Sequence, residues 1–133
     1  TVSMDLIDYP QASDRVRAVY DDIKSTRHLP DVNNFWKALA HHPETLERTW
    51  SSVKPVMAPG ALDPMTKERI YYAVSVSNNC RYCMASHSAS ALSKGADKET
   101  LMEVLAVVGM ANETNRLANG FDVPVDPAFI DAW

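Results

Sequence analysis

Helix start and stop signals recur along this chain, and they constrain its fold more than any other feature. Asp63 and Pro64 combine a capping residue with a first-turn proline, and Gly95 is a suitable left-handed helix terminator. Between such signals, apolar residues recur at three and four positions, as on one face of a helix. No segment shows convincing alternation with a period of two. The pattern therefore predicts an all-α protein.

These signals divide the chain into about six helices that we expect to form a compact bundle. An extended arm up to Gln11 comes first, and the helices are predicted after Ser13 up to residue 29, over 34–41, from 43 to 59, over 64–77, over 80–94 and from 98 to 120. The tail from Phe121 to Trp133 is expected to be irregular with a short final turn. A length of 133 residues fits a single domain spanning 1–133.

Composition excludes several classes of function. Hydrophobic residues make up 46% of the chain, charged residues 23%, and the net charge is −4 without a basic run, so we expect no nucleic-acid partner. No apolar stretch approaches a bilayer span and no signal-peptide pattern opens the sequence, so no membrane association is expected. Two cysteines only three positions apart do not staple distant segments, which favours a redox or metal pair in a reducing compartment, the cytoplasm.

The segment CRYCMASH, from Cys80 to His87, carries most of the chemical information. In a helix, Cys80, Cys83 and His87 share one face, because neighbours recur at three and four residues. Apart from Arg81, the residues around this motif are small or apolar, so we expect a central helix that is buried on nearly all sides. The dithiol with its adjacent base is predicted to lie in an enclosed site.

The spacing suits thiol chemistry. Cys80 and Cys83 lie about 5 Å apart at Cα when helical, which is within disulfide range. Cys80 would sit at a helix N-terminus that favours an anion, and His87 is placed to take the Cys83 proton. The thiolate would then attack an electrophile, and the second thiol would resolve a sulfenic acid to a disulfide.

Glu68 is the expected third member of the site. It lies twelve positions before Cys80, and the intervening Asn78-Asn79 turn predicts an antiparallel helical hairpin. Glu68 is then about 16 Å from the turn along its helix and His87 about 12 Å along the other, so the two lie at similar levels. Since helical side chains lean toward their own N-terminus, Glu68 leans away from the turn, and a bridging water is expected as one way to connect them.

Glu68, the twelve-residue gap, the Cys80-x-x-Cys83 pair and His87 together resemble the signature of the AhpD-like alkylhydroperoxidases of the carboxymuconolactone decarboxylase superfamily. The segment 62–70 resembles the family's lead-in helix, and 91–101 its exit and next helix. The likeness covers most of the chain. Tyr82 stands where the best-studied members have a histidine, and those members are also longer.

This resemblance implies an all-helical homo-oligomer (dimer, trimer or hexamer) that reduces peroxides. Cys83 would be the peroxidatic cysteine, Cys80 the proton donor and resolving thiol, and Glu68 with His87 the proton relay. The implied partners are a hydroperoxide substrate and an external thiol or dithiol reductant. The cycle needs no organic cofactor and no metal.

Other readings of the same residues stay open at this point. The four side chains could bind zinc, or the protein could be a redox-sensing helical module without peroxidase turnover. Glu68 alone could be an exposed first-turn residue. Tyr71, Tyr72 and Tyr82 could line the site or simply pack in the core.

Overall fold

The computed structural model describes residues 4–132, and every regular element in that range is helical. A 3-10 turn at Tyr9–Gln11 precedes the α-helices. These are α1 (Asp14–Arg27), α2 (Asn34–Leu39), α3 (Pro43–Met57), α4 (Pro64–Ser77), α5 (Arg81–Ser93), α6 (Lys98–Gly120) and α7 (Pro127–Ile130). The all-α prediction is confirmed, with six main helices and the short final turn as α7. Trp133 of the predicted tail lies outside the described residues.

The helices begin where the capping residues predict. The side chains of Ser13, Asp63 and Asp97 each accept a hydrogen bond from a backbone N–H three residues later. Each such contact satisfies one of the amide groups that a helix N-terminus leaves without a partner. His42 caps α3 in the same way through its Nδ1 atom. The second helix is shorter than expected, because it ends at Leu39 rather than at residue 41.

The chain divides between Ala58 and Pro59 into two compact units. The prediction of a single domain stays a prediction. In the first unit, Tyr20, Ile23 and Leu46 are fully buried and form the centre of the core. Burial of such large side chains is the main force that holds the three helices together.

Polar contacts hold the N-terminal arm against α1 and α2. Lys37 is buried, and its Nζ lies 2.8 Å from Asp8 Oδ1 and 2.8 Å from Asp31 Oδ2. The Tyr20 hydroxyl donates to the Ile7 carbonyl at 2.7 Å. The arm is thus not wholly extended as expected, since the 3-10 turn interrupts it and these contacts fix its path.

In the second unit, α4 packs against both α5 and α6. The tight connection between α4 and α5 uses Asn79 in the left-handed region at φ 58°, a conformation that asparagine tolerates better than most residues. The predicted antiparallel hairpin is therefore present. This hairpin carries all four candidate site residues.

Burial of α5 is less complete than its composition suggests. Ala91 is its buried residue, whereas Tyr82 and Leu92 are 43% and 39% exposed. The expectation of a helix enclosed on nearly all sides is too strong, because these two side chains reach solvent. Small, uncharged side chains permit close packing but do not by themselves supply a neighbour.

The sixth helix also keeps an apolar face open. Within its described span, 98–120, no residue is fully buried, and Met102, Val107 and Met110 are each more than half exposed. Long apolar side chains on one exposed face mark a surface that another molecule can cover. Across residues 4–132, no helix combines the length and apolar character required to cross a bilayer.

Candidate active site

The two cysteines are joined where α5 begins. Cys80 and Cys83 form a disulfide with their Cα atoms 5.3 Å apart, as the spacing predicts. Cys80 is the N-cap residue of α5, and its Sγ accepts a hydrogen bond from the Cys83 backbone N–H at 3.3 Å. A sulfur atom thus occupies the capping position that an oxygen usually takes.

This position matters for the reduced form of the pair. The first turn of a helix presents backbone N–H groups and the positive end of the helix dipole. Both favour a thiolate over a thiol, and Cys-x-x-Cys pairs at helix N-termini accordingly react more readily than ordinary cysteines. The start of α5 is therefore suited to nucleophilic sulfur chemistry.

His87 lies one turn beyond Cys83 and contacts Glu68 directly. Its Nδ1 atom is 2.7 Å from Glu68 Oε2, and the two side chains are only 15% and 8% exposed. The two side chains therefore contact each other directly, and no bridging water is needed between them. Glu68 is buried, so the reading of it as an exposed first-turn residue is wrong.

The direct contact determines how the imidazole is used. A carboxylate that holds Nδ1 assigns the proton of a neutral imidazole to that nitrogen, and Nε2 is then the basic edge of the ring. Side chains on a helix lean toward its N-terminus, so His87 leans toward the turn that carries Cys83. The structure thus shows a carboxylate held against the imidazole, and that imidazole lies one helical turn beyond Cys83.

Ser90 of α5 and Lys94, the residue that ends α5, also interact with Glu68, and sequence reasoning missed them. The Ser90 hydroxyl lowers the pKa of the carboxyl, and Lys94 Nζ lies 3.7 Å from Oε1. Lys94 also donates to Ser90 Oγ at 2.8 Å. Their positions, three and seven residues after His87, are on the same helical face, and this spacing is the signal that could have found them.

These contacts decide the charge of Glu68. Burial raises the pKa of a carboxyl, but the hydrogen bond and charge of His87, the Ser90 hydroxyl and the Lys94 ammonium together outweigh it. The pKa of Glu68 therefore lies below its ordinary value of 4.5. An ionised carboxylate at neutral pH is the state that can accept the Nδ1–H of His87.

The three tyrosines near the motif have different environments. Tyr71 stacks on the His87 ring, with centroids 3.5 Å apart and an interplanar angle of 20°. Tyr72 is buried on the same side of α4 as Glu68 and Ser75. Tyr82 is 43% exposed. Contact with the site is shown for Tyr71.

Within residues 4–132 and with the cysteines paired, no three His, Cys, Asp or Glu side chains converge as metal ligands do. Glu68 and His87 are instead bonded to each other.

Comparison with known proteins agrees with the fold. The sequence model that represents the carboxymuconolactone decarboxylase family matches residues 43–126 of this chain. That range includes Glu68, both cysteines and His87. The crystal structure of an alkylhydroperoxidase AhpD core from Rhodospirillum rubrum superposes on this chain with a TM-score of 0.87. The two sequences are 44% identical, and the match covers 98% of each chain.

A curated relative, an (R)-2-haloacid dehalogenase from Pseudomonas putida, is 38% identical over 50 residues. That match covers 38% of this chain but only 17% of the dehalogenase. This chain therefore matches about a sixth of that relative's length.

The described residues form an all-helical fold with a Cys-x-x-Cys pair on a helical hairpin and a buried carboxylate–imidazole contact. The chain belongs to the carboxymuconolactone decarboxylase family, and its fold and motif are AhpD-like.

Proposed function

We propose that this protein is a thiol-dependent peroxidase, similar to alkyl hydroperoxide reductases, that works through the Cys80–Cys83 dithiol. The observation that carries the proposal is the buried 2.7 Å contact between Glu68 and His87, one helical turn beyond Cys83. A structural cysteine pair needs no such relay. The likeness to an alkylhydroperoxidase core along nearly the whole chain supports the same conclusion.

The proposed cycle starts from the dithiol. His87, held by Glu68, takes the proton of Cys83, and the thiolate attacks the terminal oxygen of a hydroperoxide ROOH. The O–O bond breaks, Cys83 becomes a sulfenic acid, and the alkoxide leaves as the alcohol ROH after taking a proton. Cys80 attacks the sulfenic sulfur, and water leaves as the disulfide forms. An external thiol or dithiol then donates two electrons and two protons to restore both thiols.

The first test counts free thiols and measures intact mass before and after one equivalent of an organic hydroperoxide, with a chelator present. We expect both thiols to disappear together, with a mass loss corresponding to two hydrogens. Two unreacted thiols would overturn the proposal. Disulfide formation without turnover in the presence of a dithiol reductant would instead favour a redox-sensing module.

The second test separates the roles of the two sulfurs. In Cys80→Ser, peroxide should leave a sulfenic acid on Cys83 that the reagent dimedone traps, because the resolving thiol is gone. In Cys83→Ser, neither a trapped adduct nor peroxide consumption is expected. The reverse result would make Cys80, the helix-capping sulfur, the attacking nucleophile.

The same proposal includes a homo-oligomer in the cytoplasm. Apolar side chains remain exposed on α6 and in the following segment, with Phe121 at 80% and Val125 and Phe129 at 66% and 65%. A second copy of the chain would cover this surface and bury more of α5. Light scattering coupled to gel filtration should give at least twice the 14.8 kDa mass of one chain, and a monomer at micromolar concentration would contradict it.

A further inference from the structure

Helix α4 contacts the His87 imidazole on two sides. Glu68 bonds its Nδ1 edge at 2.7 Å, and Tyr71, three residues later on the same helix, covers one face of the ring. Residues three apart on a helix project from neighbouring positions of one face, so a single rigid element supplies both contacts. This arrangement does not follow from the Cys-x-x-Cys motif, because Tyr71 lies outside it.

We propose that Tyr71 is a positioning residue that fixes the plane of the His87 ring and directs its Nε2 edge toward the dithiol. The proposal rests on the peroxidase function proposed above. A hydrogen bond to Nδ1 restrains one edge of the imidazole but permits the ring to rotate about the Nδ1–carboxylate line. A parallel ring 3.5 Å away removes that freedom, because rotation would drive the imidazole into the tyrosine.

The stack also suits the charge that develops on His87. When the imidazole takes the Cys83 proton it becomes a cation, and the face of an aromatic ring attracts a cation. Glu68 contributes its negative charge at the Nδ1 edge of the same ring. Tyr71 and Glu68 thus stabilise the imidazolium from two directions while neither of them reacts with the peroxide.

A pair of substitutions tests the role of the ring. Tyr71→Phe keeps the aromatic face and loses only the hydroxyl, whereas Tyr71→Leu keeps apolar bulk and loses the stack. Disulfide formation by the reduced protein with an organic hydroperoxide should slow by about fivefold to tenfold in Tyr71→Leu, the change that one aromatic pair corresponds to. Tyr71→Phe should react like the unchanged protein.

Nuclear magnetic resonance of His87 in the disulfide form gives a readout that is independent of turnover. Stacking moves the ring-carbon protons of the imidazole upfield, so these resonances should move downfield in Tyr71→Leu and stay in place in Tyr71→Phe. The nitrogen shifts should also report a less strongly biased tautomer in Tyr71→Leu. Circular dichroism of both variants checks that the helices are intact.

The outcomes are separable. Unchanged His87 resonances in Tyr71→Leu would overturn the positioning role, and so would moved resonances with an unchanged rate. A wild-type protein that does not react with hydroperoxide would overturn the peroxidase function, and the resonance comparison would still decide whether Tyr71 orients His87.

Discussion

Nδ1 of His87 lies 2.7 Å from Oε2 of Glu68, although the two residues are nineteen positions apart on successive helices. This buried contact joins the two arms of the α4–α5 hairpin and places a carboxylate behind the imidazole. It is the geometric basis of the proposed proton relay.

Replacing Glu68 with glutamine should slow thiol oxidation. The amide keeps the shape of the side chain but has no negative charge, so it stabilises an imidazolium less. Since an amide can donate as well as accept a hydrogen bond, it also no longer restricts the imidazole to the Nδ1–H tautomer. We expect the rate of disulfide formation with an organic hydroperoxide to fall by about 100-fold, the low end for a positioned proton-transfer group. Stopped-flow kinetics at neutral pH measures it.

Glu99→Gln is the matched control, because Glu99 is an exposed acid in the first turn of α6. It should react at the wild-type rate. A Glu68→Gln protein that is as fast as this control would remove Glu68 from the relay.

Glu68→Gln should also change how the free energy of unfolding depends on pH. Because the pKa of Glu68 lies below 4.5 in the folded protein, the unfolded chain binds more protons in that region. The contribution of the Glu68 carboxylate to stability is complete above its pKa in the unfolded chain. It is lost as pH falls through its pKa in the folded protein. Urea unfolding at several pH values between 7 and 3 should therefore show a shallower acid loss in Glu68→Gln than in the wild type.

Asp22 and Asp31 provide the background for that comparison, because their pKa values are also lowered, by hydrogen bonds from Lys54 and Lys37. Some acid sensitivity should therefore persist in Glu68→Gln. Identical pH profiles for the two proteins would contradict the lowered pKa of Glu68.

Lys94→Met should raise the pKa of Glu68. Lys94 Nζ lies 3.7 Å from Oε1 and also bonds Ser90, so its loss weakens two of the interactions that keep the carboxylate charged. The effect is moderated by water, since the Lys94 side chain is 42% exposed. Titration of the Glu68 carboxyl carbon by NMR measures the change.

Lys98→Met is the control for Lys94→Met, since it removes one positive charge from the exposed start of α6 in the same unit. A general change of net charge would affect the two variants alike. A Glu68 titration that is the same in both would show that Lys94 has no specific influence.

Leu46→Ala should destabilise the first unit. Leu46 is fully buried in the core beside Tyr20 and Ile23, so truncation removes apolar contacts and leaves a cavity. The free energy of unfolding should fall by about 3 kcal/mol. Val56→Ala, at a position on the same helix that is 64% exposed, should change it by less than about 0.5 kcal/mol in urea unfolding curves. Similar losses for both would contradict the assigned core.

The resemblance to AhpD-like proteins was visible in the sequence because its signature is mostly local. Cys80, Cys83 and His87 lie within two helical turns, and their common face follows from helical geometry alone. Ser90 and Lys94 continue that face, but a serine or a lysine at these positions does not indicate that it interacts with Glu68 on another helix. Tyr71 gave no signal that separated stacking on His87 from ordinary packing.

The sequence by itself determined the helices and the register of the motif, because caps, proline positions and i, i+3, i+4 spacing act within a few residues of the chain. Only the tertiary structure decided that Glu68 meets His87 directly, that Tyr71 covers the ring, and that α5 and α6 keep apolar side chains exposed. These outcomes depend on how α4 and α5 are rotated and separated when they pack. That geometry arises from side chains on both helices at once.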